Sequence, residues 1–126
     1  MAFSNYLSNE ILDHVFSGNA FTAPSNYYVA LYTVAPTASG GGTEVTGGGY
    51  VRRAATFTTS ATQSTNQSAV EFPTATAAYG NVVAAAVLDA TSGGNLLAFA
   101  NLTAAKNIAI GDVLRIPAND LDINLA

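Results

Sequence analysis

Apolar positions recur along this chain with two periods, a helical one near the N-terminus and a continuous or alternating one from residue 27 onward. The longest apolar run is Val82 to Leu88, bounded by Asn81 and Asp89 and preceded by Gly80. It is too short to span a membrane and has the length of a strand buried on both faces. Three alanines would allow a helix, but Val82, Val83 and Val87 are β-branched and favour a strand. A strand covered on both sides needs a layer above and a layer below, so a second sheet or a packed helix is expected around it.

Leu7, Ile11, Leu12, Val15 and Phe16 fall at helical spacing and predict an amphipathic helix from Asn5 to Ser17, capped by Ser4 or Asn5 and stopped by Gly18. Its apolar stripe is expected to lie against the sheet, with Phe3 clipping the start and Asn9, Glu10, Asp13 and His14 outward. Tyr27 to Val34 sets Val29 and Leu31 against Tyr28, Ala30 and Tyr32, which predicts a strand with an apolar face and an outward tyrosine face. Such a face suits contact with another chain, because tyrosine offers large area at low entropy cost.

Residues Thr37 to Gly49 carry two glycine triplets, Gly40 to Gly42 and Gly47 to Gly49, and read as a long loop or projecting arm; deleting Gly40 to Gly49 is expected to leave the domain folded. No Gly-Lys-Ser/Thr and no helix follows, which argues against a phosphate cradle. Tyr50 to Thr58 is the next strand, and period 2 puts Arg52 and Arg53 on opposite faces. One of them should point inward, to pair with Glu44 or Glu71, or else meet a neighbouring subunit. Ser60 to Ser68 is a polar turn, Ala69 to Phe72 a strand, and Pro73 to Tyr79 a connection over one edge of the core. Asp89 to Asn95 is hairpin chemistry, with paired glycines. Leu96 to Leu102, Ile108 to Ile110, Val113 to Ile116 and Leu121 to Leu125 complete the strands, with Thr103 to Asn107 a turn and Leu121, Ile123 and Leu125 inward. The pattern predicts a mainly β protein, an antiparallel β-sandwich or jelly-roll-like barrel with one N-terminal amphipathic helix. Residues 1–126 are expected to form a single domain, with the sandwich over about 27–126.

Composition narrows what such a domain can do. Only 10% of the residues are charged while 49% are hydrophobic, so much of the outer surface is expected to face other protein chains. Four basic residues and a net charge of −4 exclude the row of phosphate contacts that nucleic-acid affinity requires. No secretion signal and no membrane span is read, and without cysteine there is no thiolate metal site or cysteine nucleophile. His14, the one histidine, has no nucleophile beside it and reads as a surface residue. Glu10 with Asp13, and Asp120 with Asp122, could present oxygen ligands to a hard cation, but neither pair has calcium-loop spacing, and a solvated face is the better reading. No catalytic residue, metal or cofactor is assigned.

Several motifs carry a resemblance. Leu12-Asp-His-Val-Phe, Tyr28-Val-Ala-Leu-Tyr-Thr followed by Ala35-Pro36, Gly41-Gly-Thr-Glu-Val-Thr-Gly-Gly-Gly-Tyr50 with Arg52 or Arg53, Val70-Glu-Phe-Pro-Thr-Ala-Thr, Thr91-Ser-Gly-Gly-Asn-Leu-Leu and Gly111-Asp-Val-Leu-Arg-Ile-Pro-Ala follow one another in order. Together they resemble a family of small structural proteins of tailed bacteriophages, over nearly the whole chain; the family pattern often has tryptophan at the position of Tyr79. The resemblance implies a β-rich virion protein, made in the host cytoplasm, with no catalytic motif to carry over. Two roles compete. A capsid cement or decoration protein would self-associate, for instance as a trimer, and staple major capsid subunits; this is the favoured expectation, since neither a shaft repeat nor a second domain is seen. A tail-fibre or baseplate component is the alternative and a small hydrolase a remote one. The expected contact residues are Tyr28, Tyr32, Glu44, Tyr50, Arg52 and Arg53, and deleting Gly40 to Gly49 is expected to impair attachment to the phage particle.

Overall fold

The computed structural model describes residues 1–125. In chain order it contains β1 (Ala2–Phe3), α1 (Asn5–Phe16), β2 (Tyr27–Val34), β3 (Thr43–Glu44), β4 (Arg53–Ala55), β5 (Phe57–Ser60), β6 (Gln63–Asn66), β7 (Val70–Glu71), β8 (Gly80–Leu88), β9 (Leu96–Ile108), β10 (Arg115–Ile116) and β11 (Asp122–Asn124). All pairings are antiparallel. The main sheet runs β1-β9-β8-β2-β3, with β4 also on β2; β10-β7 and β11-β6-β5 form two smaller sheets, and no sheet closes into a barrel. The chain is therefore mainly β, with open antiparallel sheets and one helix near the N-terminus.

Strand β8 sits in the middle of the main sheet, and both of its faces are buried, because a run without polar side chains can offer neither face to water. On one face Val29, Leu31, Val82 and Ala85 pack with Val70, Phe72, Ile116 and Leu121, so the β7-β10 pair forms the covering layer. On the other, Ala30, Ala84 and Ala86 lie with Tyr32 and Leu88, with Ala35, Val83, Leu96 and Phe99 packed against them. Tyr32 is thus buried rather than outward-facing as its alternation predicts, and Tyr28 is half-buried. The alternation is real, but both faces of β2 belong to the core, since β2 neighbours β8 directly.

The helix forms where periodicity places it, with Ser4 as the cap: its side chain accepts from the Leu7 N–H at 3.1 Å. Its apolar stripe does not lie down on the sheet. No residue of α1 is buried, and Leu12, Val15 and Phe16 are 55%, 60% and 80% exposed. Of the stripe only Leu7 and Ile11 are half-buried, and Leu7 lies beside Val87, Leu97 and Ala98.

The glycine-rich segment is not a projecting arm. Val45, 3% exposed, belongs to the core, β3 pairs with β2, and the Val45 N–H donates to the Leu31 carbonyl at 2.9 Å. Removing residues 40–49 would take away a core side chain and a ladder, so the expectation that the domain survives that deletion does not hold.

The strand expected from Tyr50 to Thr58 breaks into β4 and β5, and the polar run Ser60 to Ser68 is a hairpin between β5 and β6. Its end, Asn66, is wholly buried: the side chain donates to the Ser68 and Pro117 carbonyls at 2.9 and 3.0 Å and accepts from the Leu121 N–H at 2.9 Å. The turn expected at Thr103 to Asn107 is instead a wide bulge inside one long strand, β9, between the pairs Ala84–Asn101 and Val82–Lys106. Extra residues there leave the ladder, so turn-like composition is accommodated without ending the strand. Leu121 is buried and Ile123 half-buried at the C-terminal end, whereas Leu125 is 67% exposed and points away from the core.

Candidate functional site

Three of the expected contact residues meet inside the molecule. Strand β3 holds Glu44 against β2, and the turn closed by the Tyr50 N–H to Gly47 carbonyl bond brings Tyr50 and Arg52 back over it. Arg52 donates through Nε to Glu44 Oε2 at 2.9 Å and through Nη2 to Oε1 at 2.8 Å, a bidentate pair with side chains 8% and 24% exposed. Its Nη1 donates to the Ala90 and Gly93 carbonyls at 2.8 and 2.9 Å, which ties the β8–β9 hairpin to the glycine-rich segment. The Tyr50 hydroxyl donates to Glu44 Oε2 at 2.7 Å and accepts from the Leu31 N–H at 3.0 Å.

The charges in this cluster reinforce one another. Burial pushes the Glu44 carboxyl up, but hydrogen bonds from Arg52 and Tyr50 and the Arg52 charge outweigh it and hold the group below the ordinary carboxylate range. Burial and then the bond to Glu44 push the Tyr50 phenol far up, so it stays protonated as a donor. The bond to Glu44 raises Arg52 in turn.

The other residues singled out by sequence lie apart from this cluster. Arg53 is exposed and donates through Nε to the Glu71 backbone carbonyl at 3.0 Å, not to its carboxylate. Tyr28 sits in register with Leu88 and Ala54. His14 is exposed and accepts from the Phe21 N–H at 3.2 Å, which holds the segment after the helix. Among the described residues, no three His, Asp or Glu side chains gather to hold a metal ion, and Asp120 is exposed with Asp122 half-buried.

One further feature has no local signature in the sequence. The start of α1, the segment Ala38 to Gly41 and the hairpin residues Gly93 to Leu96 enclose a cleft of about 430 Å³, with Tyr32, Leu88 and Arg52 also lining it. Asn5 Nδ2 donates to Ser39 Oγ at 3.1 Å across it, and Asn95 Nδ2 is held by Asp89 Oδ2 at 3.0 Å. Three segments separated by some thirty to fifty positions build this wall, so no window of sequence contains it.

The order of the motifs finds its counterpart in a family comparison: a family model described as podophage GP4 fiber I protein gp80 matches residues 2–124. The chain belongs to this family. Among curated proteins no match was found. Membership in the podophage fiber I family makes the chain a phage structural protein, of a family that is not a known enzyme family. The family's description is a fibre one, which favours the tail-fibre alternative over the capsid decoration that composition and size favour. Among the described residues, no helix is long and apolar enough to cross a membrane.

Proposed function

We propose that this chain is a fibre component of a bacteriophage tail that acts by self-association and by contact with other virion proteins. The observation that carries the reading is the match to a fibre protein family over residues 2–124. Two features of the molecule support it. Charged side chains are sparse, and the helix leaves Leu12, Val15 and Phe16 on an open stripe, which a protein surrounded by water would avoid.

The occupant of that stripe is a second copy of the chain. The charges along the helix, Glu10 and Asp13, are acidic. Lys106 and Arg115, which form no ion pair among the described residues, line a groove with Leu102, Leu114 and Ile116 on another part of the surface, together with Asp120 and Asp122. Contact between these two unlike patches is heterologous, and a rotation that closes would give a ring such as a trimer. Light scattering on the purified chain is expected to give a closed oligomer, and Phe16→Asp a folded monomer; a monomeric wild type overturns self-association. The place in the particle is tested by antibody labelling and copy number. Labelling at the tail with at most a few dozen copies is expected, and hundreds of copies over the head would overturn it.

A further inference from the structure

We propose that the cleft between the start of α1, the Ala38–Gly41 segment and the Gly93–Leu96 hairpin binds an uncharged, polyhydroxylated ligand, a sugar unit. The argument begins with Tyr32. Only 6% of this residue is exposed, and its hydroxyl has no hydrogen-bond partner among the described residues. The hydroxyl is nonetheless not sealed in, because Thr65 Oγ1 is the one fully enclosed side-chain atom without a partner among those residues. Tyr32 lines the cleft, so the group opens into it. A buried phenol normally has a partner, and in the folded chain this one is free to bond to whatever occupies the cleft, water or ligand.

The neighbouring groups decide what kind of ligand fits. A guanidinium has five N–H donors, and Arg52 directs four bonds at Glu44, Ala90 and Gly93, leaving one on Nη2. Its charge is neutralised by Glu44, so the cleft offers a donor without offering a net positive field. Asn5 and Asn95 each have the amide nitrogen held by the protein, which leaves their carbonyl oxygens as acceptors. Sugar hydroxyls donate and accept in turn and match such a mixed set. Tyr6, 36% exposed at the rim, supplies a ring whose negative face suits the C–H face of a pyranose.

An anion is the poorer fit. Glu10 and Asp89 both act on the Tyr6 phenol and raise it after its burial does, so the rim lies in a negative field. The size, about 430 Å³, is within the range of small-molecule sites. The Gly40, Gly41 and Gly93 positions face open space, which keeps the cleft wall low. The proposal stands on the cleft's chemistry and is independent of where in the particle the chain sits.

The test is an amide-resolved NMR titration of the full chain with a panel of hexoses, 6-deoxyhexoses and N-acetylhexosamines, and with sodium phosphate. At least one sugar is expected to give saturable shifts confined to residues 4–6, 38–41 and 93–96, while phosphate gives none. Tyr32→Phe, which keeps the ring, is expected to weaken that sugar by about three- to tenfold, the worth of one neutral hydrogen bond, with an unchanged melting temperature. Tyr6→Ala, on the exposed helix surface, should weaken it as well. No shift with any sugar, shifts with phosphate at the same residues, or wild-type affinity in both variants overturns the proposal.

Discussion

Arg52 and Glu44 face each other through two parallel hydrogen bonds of 2.9 and 2.8 Å, and through Arg52 this one pair joins β3 to the β8–β9 hairpin. Removing the guanidinium strands a half-buried carboxylate and frees two backbone carbonyls. Arg52→Ala is expected to lower stability by about 2–3 kcal/mol, less than a fully buried pair would lose because Glu44 keeps solvent contact. Arg52→Lys should lose about half as much, since an ammonium keeps the charge but not the fork. Urea unfolding of the three proteins decides it; equal stability of Lys and Arg would mean the fork geometry contributes nothing.

The same pair gives stability an acid dependence. The folded Glu44 carboxyl is held below its ordinary value, so its contribution is complete above the unfolded carboxyl pKa, about 4.3, and fades as pH falls through the lower folded value. The urea midpoint is expected to drop on going from about pH 6 to about pH 3, and Glu44→Gln should show a shallower drop. Parallel curves for the two proteins would assign the acid sensitivity elsewhere.

Asn66 holds three bonds from a wholly buried position, one of them to the backbone of Leu121. Asn66→Ala leaves an N–H without its partner and two carbonyls short of one donor, and is expected to cost about 3 kcal/mol or more, visible as a lower melting temperature. Hydrogen exchange at the Leu121 amide should rise by more than global destabilisation explains. A Leu121 amide that exchanges no faster than its neighbours would argue against the bond.

Two adjacent glycines separate backbone strain from crowding. A Cβ on Gly47, with φ +75°, would meet nothing within 4 Å, whereas one on Gly48, with φ +62°, would lie 2.5 Å from the Ala77 carbonyl oxygen. Gly47→Ala is expected to lose about 1 kcal/mol from its left-handed conformation alone. Gly48→Ala should lose clearly more, because backbone must move. Similar melting temperatures for the two variants would show that the segment shifts freely.

Several elements were legible without coordinates. Periodicity placed α1 to within a residue and the central strand at Val82–Leu88, and the Asp89–Asn95 turn closes as its composition predicts, with the Asn95 N–H donating to Asp89 Oδ1 at 2.7 Å. Period 2 turns one of Arg52 and Arg53 inward toward Glu44 or Glu71, and the pair that forms is Arg52 with Glu44. What misled was direction: an alternating strand has two faces and a helix a stripe, but neither period says whether water or protein lies beyond. Alternation puts Tyr32 on an outward face suited to another chain, yet it is buried, while helical spacing puts Leu12, Val15 and Phe16 on the sheet and they are open.

Local chemistry settles what is confined to a few neighbouring residues: a strand where no side chain is polar, a helix where a serine can cap it, a hairpin where glycines allow left-handed backbone. The partnerships that make the cluster and the cleft arise only when the chain has folded, because they join residues far apart, Arg52 with Ala90 38 positions on and Asn66 with Leu121 55 positions on. Their strength depends on burial and geometry at the meeting point, and neither quantity exists for an extended chain.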